Sequence, residues 1–475
     1  MFRAAALGLG LLPFVLFEIT LHVIGLGDPS EADTPAIGFE AIRPLFEHST
    51  DGKRYEIAGS RQAYFYPDSF TVEKATDEFR IFCLGGSTVQ GRPYSIETSF
   101  TTWLELSLTA ADEQRKWKVV NCGGVSYGSY RLVPILDEVL QYEPDLVVIY
   151  AGHNEFLEAT TYRSVSRSPV GSQAVAWLSH VRAYNVLRSA RNRRREPVLL
   201  PAEVDALLDY RGGLADYHRD DRRVRSAVSA YKANLRKMLR LGVEAGVPIV
   251  LLDPISNLKD CPPFKVEPNA NLSVAEQREF EILWARAKVD EDIDHRIELL
   301  EAALAIDSRH AAARFVLGHA YLARHQLQEA REQLLVAKDE DVCPLRMIEP
   351  LHDALTAVAA DTRTPLLDIR VAFEERSKAG ILGDRWLVDH IHPSISGHQL
   401  IAAELTSHLV ETGVVVPVEG WQNGRERLYT AHLTTLDAVY YAKGKQRLEG
   451  LIRWTEGRAN KLHDGTSLPP GLDEE

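Results

Sequence analysis

Arg80-Ile81-Phe82-Cys83-Leu84 runs directly into Gly85-Gly86-Ser87-Thr88, and far downstream the chain reads Asp389-His390-Ile391-His392-Pro393. The apolar run is short and unbroken, which predicts a strand covered on both faces of a parallel sheet. A serine leaving such a strand on two glycines is exposed at the sheet edge. An aspartate three residues ahead of a histidine can supply a base together with its orienting group. If the fold joins the two segments, Ser87 is a nucleophile, His392 its general base and Asp389 the orienting carboxylate. Taken alone, the Gly-Gly-Ser-Thr tetrapeptide is equally an ordinary turn.

Working outward, the same kind of run recurs at Phe79 to Leu84, Lys118 to Cys122, Leu146 to Tyr150, Val247 to Leu252 and Pro365 to Ile369. Helical patterns separate the runs: Ser99 to Lys116, Tyr130 to Tyr142, Val224 to Ala245, Met347 to Asp361 and Ser396 to Glu411. Five strand-helix units predict a doubly wound α/β fold with a parallel five-stranded sheet. Sites in such sheets gather at the carboxyl ends of the strands. Ser87, Ser126 and Asn154 each follow a strand, so all three are expected on one edge.

The 475-residue chain has room for two or three domains, and its net charge of −13 excludes a basic nucleic-acid-binding surface. The 23 mostly apolar residues from Ala4 to Leu26 follow a single basic residue, Arg3, and precede Asp28, Glu31 and Asp33. That pattern predicts a membrane-anchoring helix with the body outside the cytoplasm, periplasmic or extracellular; a cleaved signal and a buried helix are the alternatives. Glu18 and His22 sit inside the stretch and are costly in lipid. Four cysteines do not make a disulfide scaffold. Cys83 and Cys122 read as buried hydrophobes. Cys261 and Cys343 bracket a helical block whose base a disulfide would close in an oxidising compartment.

That block, about Pro262 to Val342, contains Leu317, Gly318, Tyr321, Ala330, Leu334 and Ala337 at tetratricopeptide spacing. Stepping back 34 residues reaches Leu283, Ala287, Leu300 and Ala303. Two such repeats are too few to stand alone, so they are expected to lean on the α/β part and to offer a face to a protein partner. A further helix-prone insertion, about Phe156 to Arg223, carries Arg191, Arg193, Arg194 and Arg195 and reads as a solvated flap or a lid. The C-terminal stretch Val414 to Glu475, with a helix-prone segment from Leu433 to Glu456, shows no chemistry.

Four short blocks resemble, in order, those of the SGNH (GDSL-type) hydrolases: Gly85-Gly86-Ser87-Thr88, Asn121-Cys122-Gly123-Gly124-Val125-Ser126-Tyr127-Gly128, Gly152-His153-Asn154-Glu155 and Asp389-His390-Ile391-His392-Pro393. More closely, the chain resembles bacterial membrane-anchored members with a tetratricopeptide insertion. The resemblance implies a flavodoxin-like sheet, no cofactor, and hydrolysis or transfer of acyl groups on lipids, sugars or small esters. It implies catalytic Ser87, His392 and Asp389, with Asn154, the backbone of Ser87 and a third backbone donor binding the oxyanion. The family has glycine at that third position, where this chain has Ser126, with Gly124 as the other candidate. Gly86 and Thr88 also depart from the namesake Gly-Asp-Ser-Leu.

The expected organisation is an anchor or signal at 1–27, a hydrolase domain at 28–261 and 344–412, the repeat block at 262–343, and a helical extension and tail at 413–475. The expected activity is extracytoplasmic serine ester hydrolysis of an acylated carbohydrate, lipid or small ester. An acyltransferase with the same triad and an anchored binding scaffold are the alternatives. His390 and His398 near His392 leave a metal reading open, although no further ligand cluster is evident. Asn154 taken alone is also a helix cap. Walls for the site are expected from Tyr127 to Arg131, from the 156–223 insertion and from the flank of the repeat block.

Overall fold

The computed structural model describes residues 13, 16–24, 41–158, 181–184, 186, 199–200, 204 and 213–458. The 80–84 run becomes a longer strand, Glu78–Gly85, because the neighbouring strand Lys116–Gly123 pairs with it along that whole length. In chain order the strands are β1 (Phe46–His48), β2 (Arg54–Ile57), β3 (Ser69–Thr71), β4 (Glu78–Gly85), β5 (Lys116–Gly123), β6 (Leu146–Tyr150), β7 (Ile249–Leu252) and β8 (Leu366–Leu367). Strands β4 to β8 form one five-stranded sheet, every pairing parallel, in the spatial order β8-β7-β6-β4-β5. Numbered along the chain this is 2-1-3-4-5, the doubly wound flavodoxin-like order.

Helices cover both faces. They are α1 (Ser87–Gln90), α2 (Phe100–Ala111), α3 (Ser129–Val139), α4 (Asp221–Ala245), α5 (Val274–Val289), α6 (Ile293–Ile306), α7 (Ala311–Ala323), α8 (Leu327–Asp339), α9 (Glu349–Thr362), α10 (Ile369–Glu375), α11 (Ile395–Glu411), α12 (Trp421–Thr434) and α13 (Ala438–Arg458). Phe82 and Leu84 point into a core shared with α3, α4 and α9, while Ile81 and Cys83 point into a second core shared with α2 and α11. Alternate residues therefore enter different cores, which is why the strand reads as one continuous apolar run. Strands β1 to β3 form a small antiparallel sheet that lays Phe46 and Phe70 edge-on against Phe82.

Helices α5 to α8 lie between β7 and β8 in the chain and have their own apolar core, which takes in Leu258 and Ile381 from outside the block. Gly318 lets α7 and α8 pack closely: a methyl there would lie 2.8 Å from Leu334 Cγ. His319 Nε2 lies 2.8 Å from the Lys259 carbonyl oxygen, and Arg331 pairs with Glu374 at 2.7 Å, tying the block to the α/β part.

Two expectations are corrected. Among the described residues no helix is long and apolar enough to cross a membrane. The anchor over 4–26 is therefore not supported, nor the extracytoplasmic placement that rested on it. The described part of that stretch includes a helical turn whose Glu18 carboxylate accepts from the backbone N–H of Arg182 and Ala183 at 2.9 and 2.7 Å, and whose Leu21 is buried. The acidic group that would be costly in lipid instead accepts from two backbone N–H groups of the helical stretch at 182–184. The bridge between Cys261 and Cys343 is likewise absent, since both are free thiols. They belong to one apolar cluster, but the Cys261 thiol faces the Pro262 carbonyl at 3.7 Å. Most of the 156–223 insertion, its arginine cluster and the 459–475 tail lie outside the described residues.

Candidate active site

The site is assembled from turns at strand ends. Gly85 ends β4, and Ser87 opens the four-residue helix α1 with Gly86 as its N-terminal flank. Gly86 is required by close approach, because a methyl on it would stand 2.6 Å from Asn154 Nδ2. The amide of Asn154 therefore lies directly over the turn that presents the serine.

His392 comes from the loop before α11. Val388 N–H donates to the His392 carbonyl at 2.9 Å and Ser394 N–H to the Trp386 carbonyl at 2.8 Å, so the loop closes on itself before Ser394 caps the helix. Within the loop Asp389 Oδ1 accepts from the N–H groups of Ile391 and His392 at 2.9 and 2.8 Å. Its Oδ2 lies 2.7 Å from His392 Nδ1. His392 Nε2 lies 2.7 Å from Ser87 Oγ. Burial opposes ionisation of Asp389, but the imidazoles of His392 and His390 and the hydrogen bonds from His392 outweigh it and hold the carboxyl well below its ordinary range. The Asp389 carboxylate can thus fix the tautomer of His392 that accepts a proton at Nε2.

The residues of three candidate oxyanion donors, Ser87, Ser126 and Asn154, border one cavity. Asn154 Nδ2 gives one hydrogen to the Tyr127 carbonyl at 3.1 Å, and the primary amide retains a second. The N–H groups of Ser87 and Ser126 have no backbone acceptor among the described residues. Gly124 is corrected as a donor, because its N–H is spent on the Gly85 carbonyl at 2.9 Å. Ser126 occupies the left-handed region at φ 62°, where glycine would be unstrained and serine costs about 1 kcal/mol. Asn154 does not cap a helix of its own. Its neighbour Glu155 does so across space, accepting from Ser129 N–H and Ser129 Oγ at the start of α3, both at 2.8 Å. Burial pushes the Glu155 carboxyl up to about 7.

His390 and His398 go to separate partners. His398 Nδ1 accepts from Phe100 N–H at 3.2 Å, and burial pushes its imidazole down to about 3. His390 Nδ1 lies 3.6 Å from Asp389 Oδ1, and burial pushes it down to about 4, so it is neutral at ordinary pH.

Ser87, Ser126, Asn154 and His392 line a cavity of about 350 Å³. This is the small end of ligand-sized cavities. Leu157 and Leu345 line it where the insertion and the repeat flank begin and end. Tyr127 and Arg131 do not line it: Arg131 forms a buried two-point pair with Glu158, and the Tyr127 hydroxyl accepts from Arg61. In their place stand Arg92, just after the nucleophile turn, and Arg447, Gly450 and Leu451 of α13. The C-terminal extension therefore carries part of the site. An arginine shortly after the nucleophile is a signal the sequence offered; an exposed helix near the C-terminus offers none.

No family model and no curated protein matches the chain. Among solved structures it is similar to the lipase/acylhydrolase from Enterococcus faecalis, at 14% identity and TM-score 0.33 over 72% of this chain and 100% of that one. It is similar to a catalytic mutant of the acetylxylan esterase from Geobacillus stearothermophilus, at 13% identity and TM-score 0.32 over 71% and 95%. A GDSL-like lipase from Bacteroides thetaiotaomicron matches at 11% identity and TM-score 0.28 over 71% and 91%. With so slight an overlap, what the site does has to be argued from its own geometry.

Proposed function

We propose that this chain is a serine ester hydrolase that works through an acyl-enzyme at Ser87. One observation carries the reading: the unbroken hydrogen-bonded chain from Asp389 through His392 to Ser87, which opens on a ligand-sized cavity.

In this reading His392 Nε2 takes the Ser87 proton as Oγ attacks the ester carbonyl carbon. The oxyanion that forms is held by the N–H groups of Ser87 and Ser126 and by Asn154 Nδ2. Because these donors are fixed before the reaction, they stabilise the developing charge without reorganising. The tetrahedral intermediate collapses with loss of the alcohol, which leaves with the proton from His392. Water, deprotonated by the same imidazole, then attacks the acyl-serine and releases the acid. The volume of the cavity fits a short acyl ester better than a long-chain lipid.

A fluorophosphonate probe is expected to label the wild-type chain at Ser87, with labelling and turnover of short 4-nitrophenyl esters both lost in Ser87→Ala. Folded wild-type protein that neither labels nor turns over an ester would refute the reading.

A further inference from the structure

The ring of side chains around the cavity is unusual in its charge. It contains two guanidinium groups, Arg92 and Arg447, and no carboxylate among the described residues. His390, in the same wall, is neutral at ordinary pH because burial pushes it down to about 4. The chain as a whole carries a net charge of −13, and Arg80, Arg131 and Arg370 are paired with Glu78, Glu158 and Glu349. Arg92 has no ion pair among the described residues, and its buried Nε has no hydrogen-bond partner. Burial pushes this guanidinium below its ordinary value; the Tyr66 hydroxyl opposes that shift and the Arg447 charge adds to it.

Arg447 is held in place. Its Nη1 donates to the Tyr94 carbonyl at 2.8 Å, and its guanidinium stacks over Tyr66 at 5.4 Å. Helix α13 can come this near because Gly444 meets Tyr94: a methyl there would lie 2.1 Å from Cδ1. Tyr440 adds a stacked ring against Tyr94 and shares a 2.7 Å hydrogen bond with Thr98. The Glu97 carboxylate accepts from Ser95 Oγ. Arg92, largely withdrawn from water and without an ion pair among the described residues, carries a desolvation cost that a bound anion offsets, and a guanidinium binds carboxylate or phosphate through paired N–H donors.

Resting on the hydrolase reading above, we propose that the substrate is an ester carrying an anionic group, which Arg92 and Arg447 bind while Ser87 attacks the carbonyl. The anion can belong to the acyl part or to the alcohol part. Arg92 and Arg447 then select the substrate, and the apolar wall of Leu157 and Leu345 holds the carbon skeleton between the anion and the ester.

Two substrate pairs separate the possibilities. For the acyl side, mono-4-nitrophenyl glutarate is compared with 4-nitrophenyl valerate; for the alcohol side, 4-acetoxybenzoate is compared with 4-acetoxybenzamide. In one pair the anionic member is expected to have kcat/KM higher by about tenfold or more, and that ratio should fall by about tenfold in Arg92→Gln. Arg92→Lys should keep part of it, and added salt should erode it. Arg447→Gln, on an exposed helix face, should lower the ratio by about threefold and carries the test even if Arg92→Gln does not fold. A ratio of one or less in both pairs, or a preference that survives in the folded Arg447→Gln and double variants, overturns the proposal. If none of the four esters is hydrolysed and the fluorophosphonate does not label Ser87, the hydrolase reading fails by itself. The anion site is then decided by calorimetry with glutarate: saturable binding that weakens about tenfold in the double variant supports it, and no binding, or binding unchanged in that variant, overturns it.

Discussion

Two buried aspartate–histidine pairs stand near the carboxyl end of the same sheet. Asp389 and His392 are 2.7 Å apart on one loop. Asp253, directly after β7, lies 2.5 Å from His352 on α9. Ser256 even lies near the second pair, its buried Oγ without a hydrogen-bond partner among the described residues. What differs is the space around each pair. His392 reaches Ser87 at the wall of a cavity of about 350 Å³, whereas His352 and Ser256 border one of about 10 Å³, room for a single water at most. A cavity of that size leaves no room for a substrate carbonyl beside the second pair. An acid–base pair becomes a candidate catalytic device only when a nucleophile, an oxyanion site and room for substrate meet it. Otherwise it is a buried hydrogen bond that joins a strand end to a helix.

The sharpest way to break this contrast is to remove each histidine in turn. His392→Ala should lower ester turnover by about 10⁴-fold or more with a smaller loss of stability than at His352, because Asp389 keeps the backbone N–H groups of residues 391 and 392 as donors. His352→Ala should leave turnover within about tenfold but cost roughly 2 kcal/mol in urea unfolding, since it strands a buried carboxylate. Equal effects on turnover would erase the distinction. The aspartates give the next test: Asp389→Asn should slow turnover by up to about 10⁴-fold, because an amide at Nδ1 favours the wrong tautomer, while Asp253→Asn should show mainly in the unfolding midpoint. Asn154→Ala probes the oxyanion site beside the first pair. It should lower kcat by about 10²- to 10³-fold with KM for a short ester little changed. The smallest effect belongs to Ser126→Gly, which should change stability by no more than about 0.5 kcal/mol, and upward, the relief of left-handed strain less the entropy cost of glycine.

The sheet was legible because its signals are local. Leu146 to Tyr150 is an apolar run of strand length, and the strand occupies the same residues. The antiparallel sheet from Phe46 to Thr71 left no comparable trace, since its strands have three or four residues and mix charged with apolar side chains. Composition alone misdirected the reading at the N-terminus. A stretch rich in apolar residues suggested a membrane helix, yet Glu18 has protein N–H groups to bind. At Cys261 and Cys343 the chain brings both thiols into one cluster without joining them, an outcome that spacing along the sequence cannot decide.

By itself the sequence determined what short segments can do. Two glycines let Ser87 leave β4 in a tight turn, and Asp389 reaches His392 within a single loop, because both depend on neighbours a few residues apart. Only the tertiary structure decided which groups face one another. It set His392 against Ser87, engaged the Gly124 N–H and left that of Ser126 without a backbone acceptor, and brought Arg447 from the C-terminal helix to the cavity that Arg92 borders. Those relations follow from how helices and strand ends pack, and packing joins residues that no local pattern connects.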